Sequence, residues 1–138
     1  MHFLKLILII SLFFMCPTPL SQEPQIIQEP VTEPQMIDLG EFKITAYCPC
    51  SKCCGQWANG ITSTGVTAQA NRTIAVDPNV IPYGTKVLID GKEYVAEDCG
   101  GAIKGNRIDI YFDTHQEALQ WGVKYKGVIV SGTNDTEF

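Results

Sequence analysis

The sequence has few basic residues. It contains 10 Lys and Arg against 15 Asp and Glu, which gives a formal net charge of −5 and a pI of about 4.9. Nucleic-acid-binding domains usually carry a basic patch or stripe, so this balance argues against nucleic acid as a partner. Charged residues make up only 18% of the 138 residues. Because Gly, Pro, Val, Ile and Thr are prominent instead, the composition favours a single, all-β domain.

A long hydrophobic run is also missing. The apolar run Leu6 to Met15, interrupted by Ser11, is short for a membrane span of ~20 residues and typical of a signal peptide. We therefore expect residues 1–20 to be a signal peptide or an N-terminal anchor, with lipid attachment at Cys16 as an alternative. Residues 21–38, rich in Pro, Gln and Glu, are expected to be a disordered linker. This pattern predicts a protein that is secreted, or tethered to the membrane, on the cell-wall side.

Histidine is scarce, whereas cysteine is concentrated in one place. His2 lies in the expected signal segment, and His115 lies at the start of an expected helix. Beyond the signal segment the cysteines are Cys48, Cys50, Cys53, Cys54 and Cys99. The spacing of the first four resembles a zinc site, but so short a loop makes a full tetrahedral set awkward. Export favours disulfides, and free thiols are a third alternative. No metal or other cofactor is expected.

Alternating apolar residues and turn signals predict a barrel of short strands over residues 39–132. The expected strands cover 41–47, 72–77, 86–89, 93–97, 107–112 and 123–130. Asp90-Gly91 is a strong hairpin signal, and Thr114 with Glu117 forms a capping box for a short helix over 117–121. A closed barrel would remove the edges of such a strand set. Residues 133–138 are expected to be frayed.

The stretch 96–113 contains the strongest candidates for chemistry. Asp98 ends one expected strand, Asp109 lies inside another between Ile108 and Ile110, and a glycine-rich turn joins the two. Burying a carboxylate among apolar residues is costly unless the carboxylate is paired or used. Two carboxylates brought together by one loop could divide the roles of acid and base. The alternative is a surface hairpin whose aspartates only form turns.

Three sequence words resemble the 3D (Asp-Asp-Asp) domain family. They are I-A-V-D-P-N-V-I-P-Y-G-T-K-V at 74–87, A-E-D-C-G-G-A-I-K-G-N-R-I-D-I-Y-F-D at 96–113, and E-A-L-Q-W-G-V at 117–123. This family is similar to the membrane-bound lytic transglycosylase A family and to the stationary-phase survival proteins. The resemblance implies an all-β, six-stranded double-psi β-barrel with one short helix. It also implies cleavage of the MurNAc–GlcNAc β-1,4 bond of peptidoglycan to give 1,6-anhydro-muropeptides.

The resemblance assigns the three family aspartates to Asp77, Asp98 and Asp109. Asp109 matches the catalytic acid/base, and Asp98 is expected to raise the pKa of Asp109 by like-charge repulsion and to hold substrate hydroxyls. Asp77 is either a third catalytic partner or a residue that fixes the turn before Pro78. Cys99 stands where the family usually has Thr, which puts a hydroxyl role there in doubt.

The remaining candidates are residues expected to contact the substrate. They are Thr45 and Tyr47 on the first strand, Trp57 as a sugar-stacking residue, and Lys104 and Arg107 as cations that attract the anionic wall. Trp121 is expected to belong to the core. The expected partner is the glycan strand of peptidoglycan, and the protein is expected to be a monomer. The alternatives are a peptidoglycan glycoside hydrolase and an expansin-like module that binds the wall without cutting it.

Overall fold

The computed structural model describes residues 34–132. The strands are β1 (Gln35–Tyr47), β2 (Thr73–Ala75), β3 (Lys86–Ile89), β4 (Lys92–Asp98), β5 (Arg107–Tyr111) and β6 (Lys124–Gly132). The helices are α1 (Ser51–Cys54) and α2 (His115–Trp121), and a 3-10 turn covers Gly55–Trp57. The expected signal segment, most of the expected linker and the expected frayed end at 133–138 lie outside the described residues. Within 34–132, neither helix has the length and apolarity needed to cross a bilayer.

The six strands form a closed barrel in the order β1-β5-β2-β4-β3-β6. The pairs β1–β5 and β2–β4 are parallel, and the other four pairs are antiparallel. Closure gives every strand two hydrogen-bonded neighbours, so that no strand edge is left exposed. The expected six-stranded, all-β barrel is therefore confirmed. Because β1 and β5 run in the same direction, the segments that follow them emerge at the same end of the barrel.

Strand β1 begins earlier than the composition indicated. Residues 35–38 were expected to end a linker, but they pair with β6 from Gln35↔Gly132 to Asp38↔Ile129. The register then shifts at a bulge, where the Gly40 N–H donates to Asp38 Oδ1 over 2.8 Å and Gly40 has a φ of 83°. The barrel therefore starts at Gln35 rather than at residue 39, because β6 supplies these residues with a partner.

The turn between β3 and β4 has the predicted hairpin geometry. Ile89 pairs with Lys92 across Asp90 and Gly91, whose φ values are 52° and 75°. Positive φ at both central residues defines a type I′ turn, whose twist matches that of the flanking strands. The Asp-Gly signal is thus confirmed.

Helix α2 begins two residues before its expected start. Thr114 Oγ1 accepts the Glu117 N–H, and the Thr114 N–H donates to Glu117 Oε2 over 3.0 Å, so the predicted capping box is present. The cap makes His115 the first residue of α2. The indole of Trp121 lies 5.7 Å from the ring of Phe112, and both pack against the core, as expected for Trp121.

The core consists of side chains that point into the barrel from alternating strand positions. Ile44 and Ile108 are fully buried and face each other across the β1–β5 pair. Successive side chains in a strand point to opposite faces. The next pair in the register, Thr45↔Asp109, therefore points away from this apolar interior.

Candidate active site

A cavity of about 660 Å³ opens at the end of the barrel where β1 and β5 finish. Ligand sites commonly have volumes of ~300–1,000 Å³. The cavity wall comes from the end of β1, from the cysteine-rich segment, from residues 59–63, from the glycine-rich turn and from β5. Asp98 and Asp109 both line this cavity. The two carboxylates that the sequence singled out therefore share one site.

The sheet explains why these two aspartates meet. Ala75 of β2 pairs with Asp109 on one side and with Asp98 on the other, and a bulge in the β2–β4 pair sets the second register. Two strand spacings separate the backbones of Asp98 and Asp109 by about 10 Å. The small side chain of Ala75, which also lines the cavity, lies between them. The carboxylates thus flank a shallow floor that a sugar ring could cover.

Asp109 has the environment of a proton donor. Its Oδ1 accepts a hydrogen bond of 2.8 Å from Thr45 Oγ1. Burial raises the pKa of Asp109, while the Thr45 hydrogen bond and the charge of Arg107 act against this shift. The charge of Asp98 also raises the pKa of Asp109, but its effect ranks below the other three. Like-charge repulsion, which we expected to be the cause, is thus secondary to desolvation.

Asp98 is held as a hydrogen-bond acceptor. Its Oδ2 accepts the Tyr47 hydroxyl at 2.7 Å, and its Oδ1 accepts the Ser63 hydroxyl at 2.5 Å. The backbone N–H groups of Ser63 and Cys99 donate to the same Oδ1, each over 2.9 Å. Four donors converge on one carboxyl group, which suits a fixed anion and leaves its orientation little freedom. Ser63 Oγ also accepts the Cys99 N–H over 2.9 Å, so Ser63 connects Asp98 to the residue that follows it.

Asp77, the third aspartate, lies outside the cavity lining that contains Asp98 and Asp109. It is buried, and its Oδ1 accepts hydrogen bonds of 3.1 Å from the backbone and side-chain nitrogens of Asn79. Its Oδ2 accepts the Gly105 N–H over 2.9 Å. The bonds from the Gly105 and Asn79 backbones lower the pKa of Asp77. Of the two roles expected for Asp77, this placement fits the one that fixes a turn, and it does not fit a catalytic partner.

The expected substrate-contacting residues separate into two groups. Tyr47 and Trp57 line the cavity, and Trp57 is 70% exposed. Thr45, Lys104 and Arg107 do not line it. Thr45 contacts Asp109 instead, and Arg107 Nη1 donates to the carbonyl of Ala102 over 3.3 Å. Tyr111 also lines the cavity, and it packs edge-on against Tyr47 with ring centroids 5.4 Å apart.

Beside the cavity, three cysteines gather around a histidine. The Sγ atoms of Cys48, Cys50 and Cys53 lie 3.6, 3.5 and 3.5 Å from His115 Nδ1. In the part of the chain that the structure describes, all five cysteines are unbonded, including Cys54 and Cys99. From its place in the sequence, His115 is not expected to belong to any site. The parallel β1–β5 pairing, which brings the residues after Tyr47 and Tyr111 to the same end of the barrel, is the signal that could have found it.

Residues 72–131 match the model of a family described as the 3D domain. The chain is 49% identical over 76 residues to "Cell wall-binding protein YocH" of Bacillus subtilis (strain 168), covering 52% of this chain and 26% of that protein. It is 40% identical over 103 residues to "SPbeta prophage-derived uncharacterized protein YorM" of the same organism, covering 67% and 42%. The chain thus spans less than half the length of either curated relative.

Among solved structures, the chain is similar to the lytic transglycosylase MltA from E. coli, with 31% identity and a TM-score of 0.46 over 53% of this chain and 27% of that one. The stretch matched by the family model contains Asp77, Asp98 and Asp109, the three aspartates identified from the sequence words. The segment Cys48 to Trp57 lies outside that match. Over residues 72–131, which supply most of the barrel and all three aspartates, this chain matches the 3D domain family.

Proposed function

We propose that this protein cleaves the glycan strand of peptidoglycan as a lytic transglycosylase, acting in the cell wall outside the membrane. The observation that carries the proposal is Asp109, a carboxyl group whose pKa is raised by burial, in the same cavity as the hydrogen-bonded Asp98. A raised pKa keeps a carboxyl group protonated at a pH where an ordinary aspartate has lost its proton. The cell wall-binding relative supports the wall as the substrate.

In the proposed reaction Asp109 acts twice. It first donates its proton to the oxygen of the MurNAc–GlcNAc bond, and that bond breaks as positive charge develops at C1 of muramic acid. The C6 hydroxyl of the same muramic acid then attacks C1 and gives its proton to the Asp109 carboxylate. The products are a 1,6-anhydro sugar and a free GlcNAc hydroxyl, and Asp109 is protonated again. No water is consumed.

Asp98 has a separate role in this proposal. Its four hydrogen bonds fix a negative charge within the cavity, where it stabilises the positive charge that develops on the sugar. Trp57 at the rim, with Tyr47 and Tyr111 deeper in, supplies aromatic surface for sugar rings. Asp77 positions the turn after β2 and the loop before β5 through Asn79 and Gly105.

The second candidate function is wall binding without cleavage. It is favoured by the cell wall-binding relative and by the exposed indole of Trp57, which a binding module would need as much as an enzyme does. A glycoside hydrolase would use the same two carboxylates with water as the attacking group. The three candidates differ in their products: an anhydro sugar, no soluble product, or a reducing sugar.

The test is digestion of purified sacculi, with mass spectrometry of the soluble fragments. Wild-type protein is expected to release anhydro-muropeptides, and Asp109→Asn is expected to reduce the rate by about 10²–10⁴-fold. Asp113→Asn is the matched control, since Asp113 is exposed and lies outside the cavity lining. Undiminished release by Asp109→Asn would refute the assignment of Asp109. Binding to sacculi without any fragments would select the wall-binding function, and reducing-end fragments would select the hydrolase.

A further inference from the structure

The cluster of Cys48, Cys50, Cys53 and His115 has the dimensions of a tetrahedral metal site. All four ligand atoms lie within 4.8 Å of one another. A zinc ion with Zn–S of about 2.3 Å and Zn–N of about 2.05 Å would separate S from N by about 3.6 Å and S from S by about 3.8 Å. The observed S–N distances are 3.5–3.6 Å. Cys48 Sγ lies 3.1 Å from Cys50 Sγ and 3.5 Å from Cys53 Sγ, so a small outward movement of the sulfurs would complete the site.

Local backbone structure explains how so short a segment supplies three sulfurs. Cys48 follows the last residue of β1, Cys50 is the N-cap of α1, and Cys53 lies one turn further on. Residues three apart in a helical turn share a face, so Cys50 and Cys53 present their sulfurs on the same side. The N–H groups of Cys53 and Cys54 donate to the Cys50 carbonyl over 3.1 and 2.9 Å, which closes the turn. The Cys-x-x-Cys spacing is that of structural zinc sites.

The fourth ligand comes from the segment that follows β5, the strand next to β1 in the barrel. Phe112 N–H donates to the Tyr47 carbonyl over 2.8 Å, which holds the chain after β5 against the end of β1. The capping box then starts α2 at His115 and points the imidazole at the three sulfurs. Three thiolates and one imidazole form a closed coordination set without an open position, as in structural rather than catalytic zinc sites.

The segment that contains Cys50 and Cys53 has little hydrophobic packing to fix its position. Neither α1 nor the 3-10 turn Gly55–Trp57 buries a residue, so hydrophobic packing does not fix their position. The same segment nevertheless forms one wall of the cavity, through Pro49, Cys53, Cys54 and Trp57. A tetrahedral metal would supply the missing restraint and tie this wall to α2.

We propose that Cys48, Cys50, Cys53 and His115 bind one Zn²⁺ ion, which fixes the segment 48–57 against the start of α2. The site is structural, and it orders the wall of the cavity that contains Trp57. The zinc site does not depend on the proposed transglycosylase activity, since a barrel that only binds the cell wall would need the same ordered cavity. Metal content and metal affinity can be measured without any activity assay.

The first experiment is elemental analysis of the full chain purified anaerobically without chelator. One zinc per chain is expected for the wild type, and none for Cys53→Ser or His115→Ala. Cys54→Ser and Cys99→Ser are the matched controls, and both are expected to keep the zinc. Cys54 Sγ points to the Cys48 carbonyl at 3.1 Å, and Cys99 Sγ lies 3.1 Å from Ser63 Oγ, so neither sulfur belongs to the cluster. Loss of zinc from these controls to the same extent would overturn the assignment of ligands.

The second experiment keeps the proposal testable if a ligand variant fails to fold. Cobalt added to the metal-free wild-type chain is expected to give the absorption of tetrahedral Co²⁺ and thiolate-to-cobalt charge-transfer bands. His115→Cys, which supplies a fourth thiolate, is expected to retain the metal and to shift these bands. Absence of stoichiometric metal binding by the wild-type chain would overturn the proposal. A disulfide between any two of Cys48, Cys50 and Cys53 in the anaerobically purified protein, found by alkylation and mass spectrometry, would also overturn it.

Discussion

The hydrogen bond from Thr45 to Asp109 gives a sharp prediction for the pH dependence of the proposed cleavage reaction. Thr45 Oγ1 donates to Asp109 Oδ1 over 2.8 Å, and this bond lowers the pKa of a carboxyl group that burial raises. Thr45→Val keeps the shape of the side chain and removes the donor. Losing a hydrogen bond to an ionised group costs about 1.5–3 kcal/mol, which is a roughly ten- to hundredfold change in the acid dissociation constant.

The sign of the change follows from the role proposed for Asp109. Cleavage begins with the protonated carboxyl group, so the rate falls as pH rises through the pKa of Asp109. Thr45→Val removes a contact that favours the charged form, so it raises that pKa further. The alkaline limb of the rate profile is therefore expected to move to higher pH. Release of anhydro-muropeptides across a pH series is the assay, and carbon-detected NMR titration of Asp109 gives the pKa directly.

Thr45→Ser is the control, because serine keeps the hydroxyl and loses only a methyl group. Its profile is expected to match the wild type. The reasoning would be refuted if Thr45→Val left the alkaline limb in place, or if Thr45→Ser moved it as far as Thr45→Val did. Either result would mean that this hydroxyl does not control the proton affinity of Asp109.

Two further predictions concern stability. Thr73 is fully buried, donates to Glu97 Oε2 over 2.9 Å and accepts the Gln69 N–H over 2.9 Å. Thr73→Val is therefore expected to lower the free energy of unfolding by about 2–4 kcal/mol in urea denaturation, whereas Thr73→Ser should lose only about 1 kcal/mol. Equal losses in the two variants would contradict this. In the folded protein, burial raises the pKa of Asp109 above its value in the unfolded chain, which is about 3.9. The neutral carboxyl group therefore contributes its full stabilisation of the fold below a pH of about 3.9. This contribution is lost as the pH rises through the pKa that Asp109 has in the folded protein. Asparagine does not ionise, so the melting temperature of Asp109→Asn is expected to fall less than that of the wild type as the pH rises. The measurement is the melting temperature of both proteins across a pH series. The same pH dependence in both proteins would contradict this prediction.

Local chemistry made much of the barrel predictable. The Asp90-Gly91 turn and the capping box of Thr114 depend on residues no more than three positions apart, so the sequence alone determines them. Alternating apolar residues located the strands, because one face of each strand is buried. The sequence words identified Asp98 and Asp109, and the structure places both in one cavity.

Contacts between distant residues account for what the sequence did not reveal. Gln35 to Asp38 resemble linker residues until β6, more than 90 positions later, provides their hydrogen-bond partners. His115 meets cysteines that precede it by 62 to 67 positions, and no local pattern encodes that approach. The order of effects on the pKa of Asp109 depends on its burial, which only the packed barrel determines.

The pairing of Gln35 with Gly132 also has a geometric consequence. The points where the chain enters and leaves the barrel are neighbours, while the cavity lies at Tyr47, after about 40 Å of extended strand along β1. A polypeptide joined at either point would approach the barrel from the end opposite the cavity. Segments joined to the barrel at Gln35 or Gly132 would therefore leave the cavity accessible to the proposed glycan substrate.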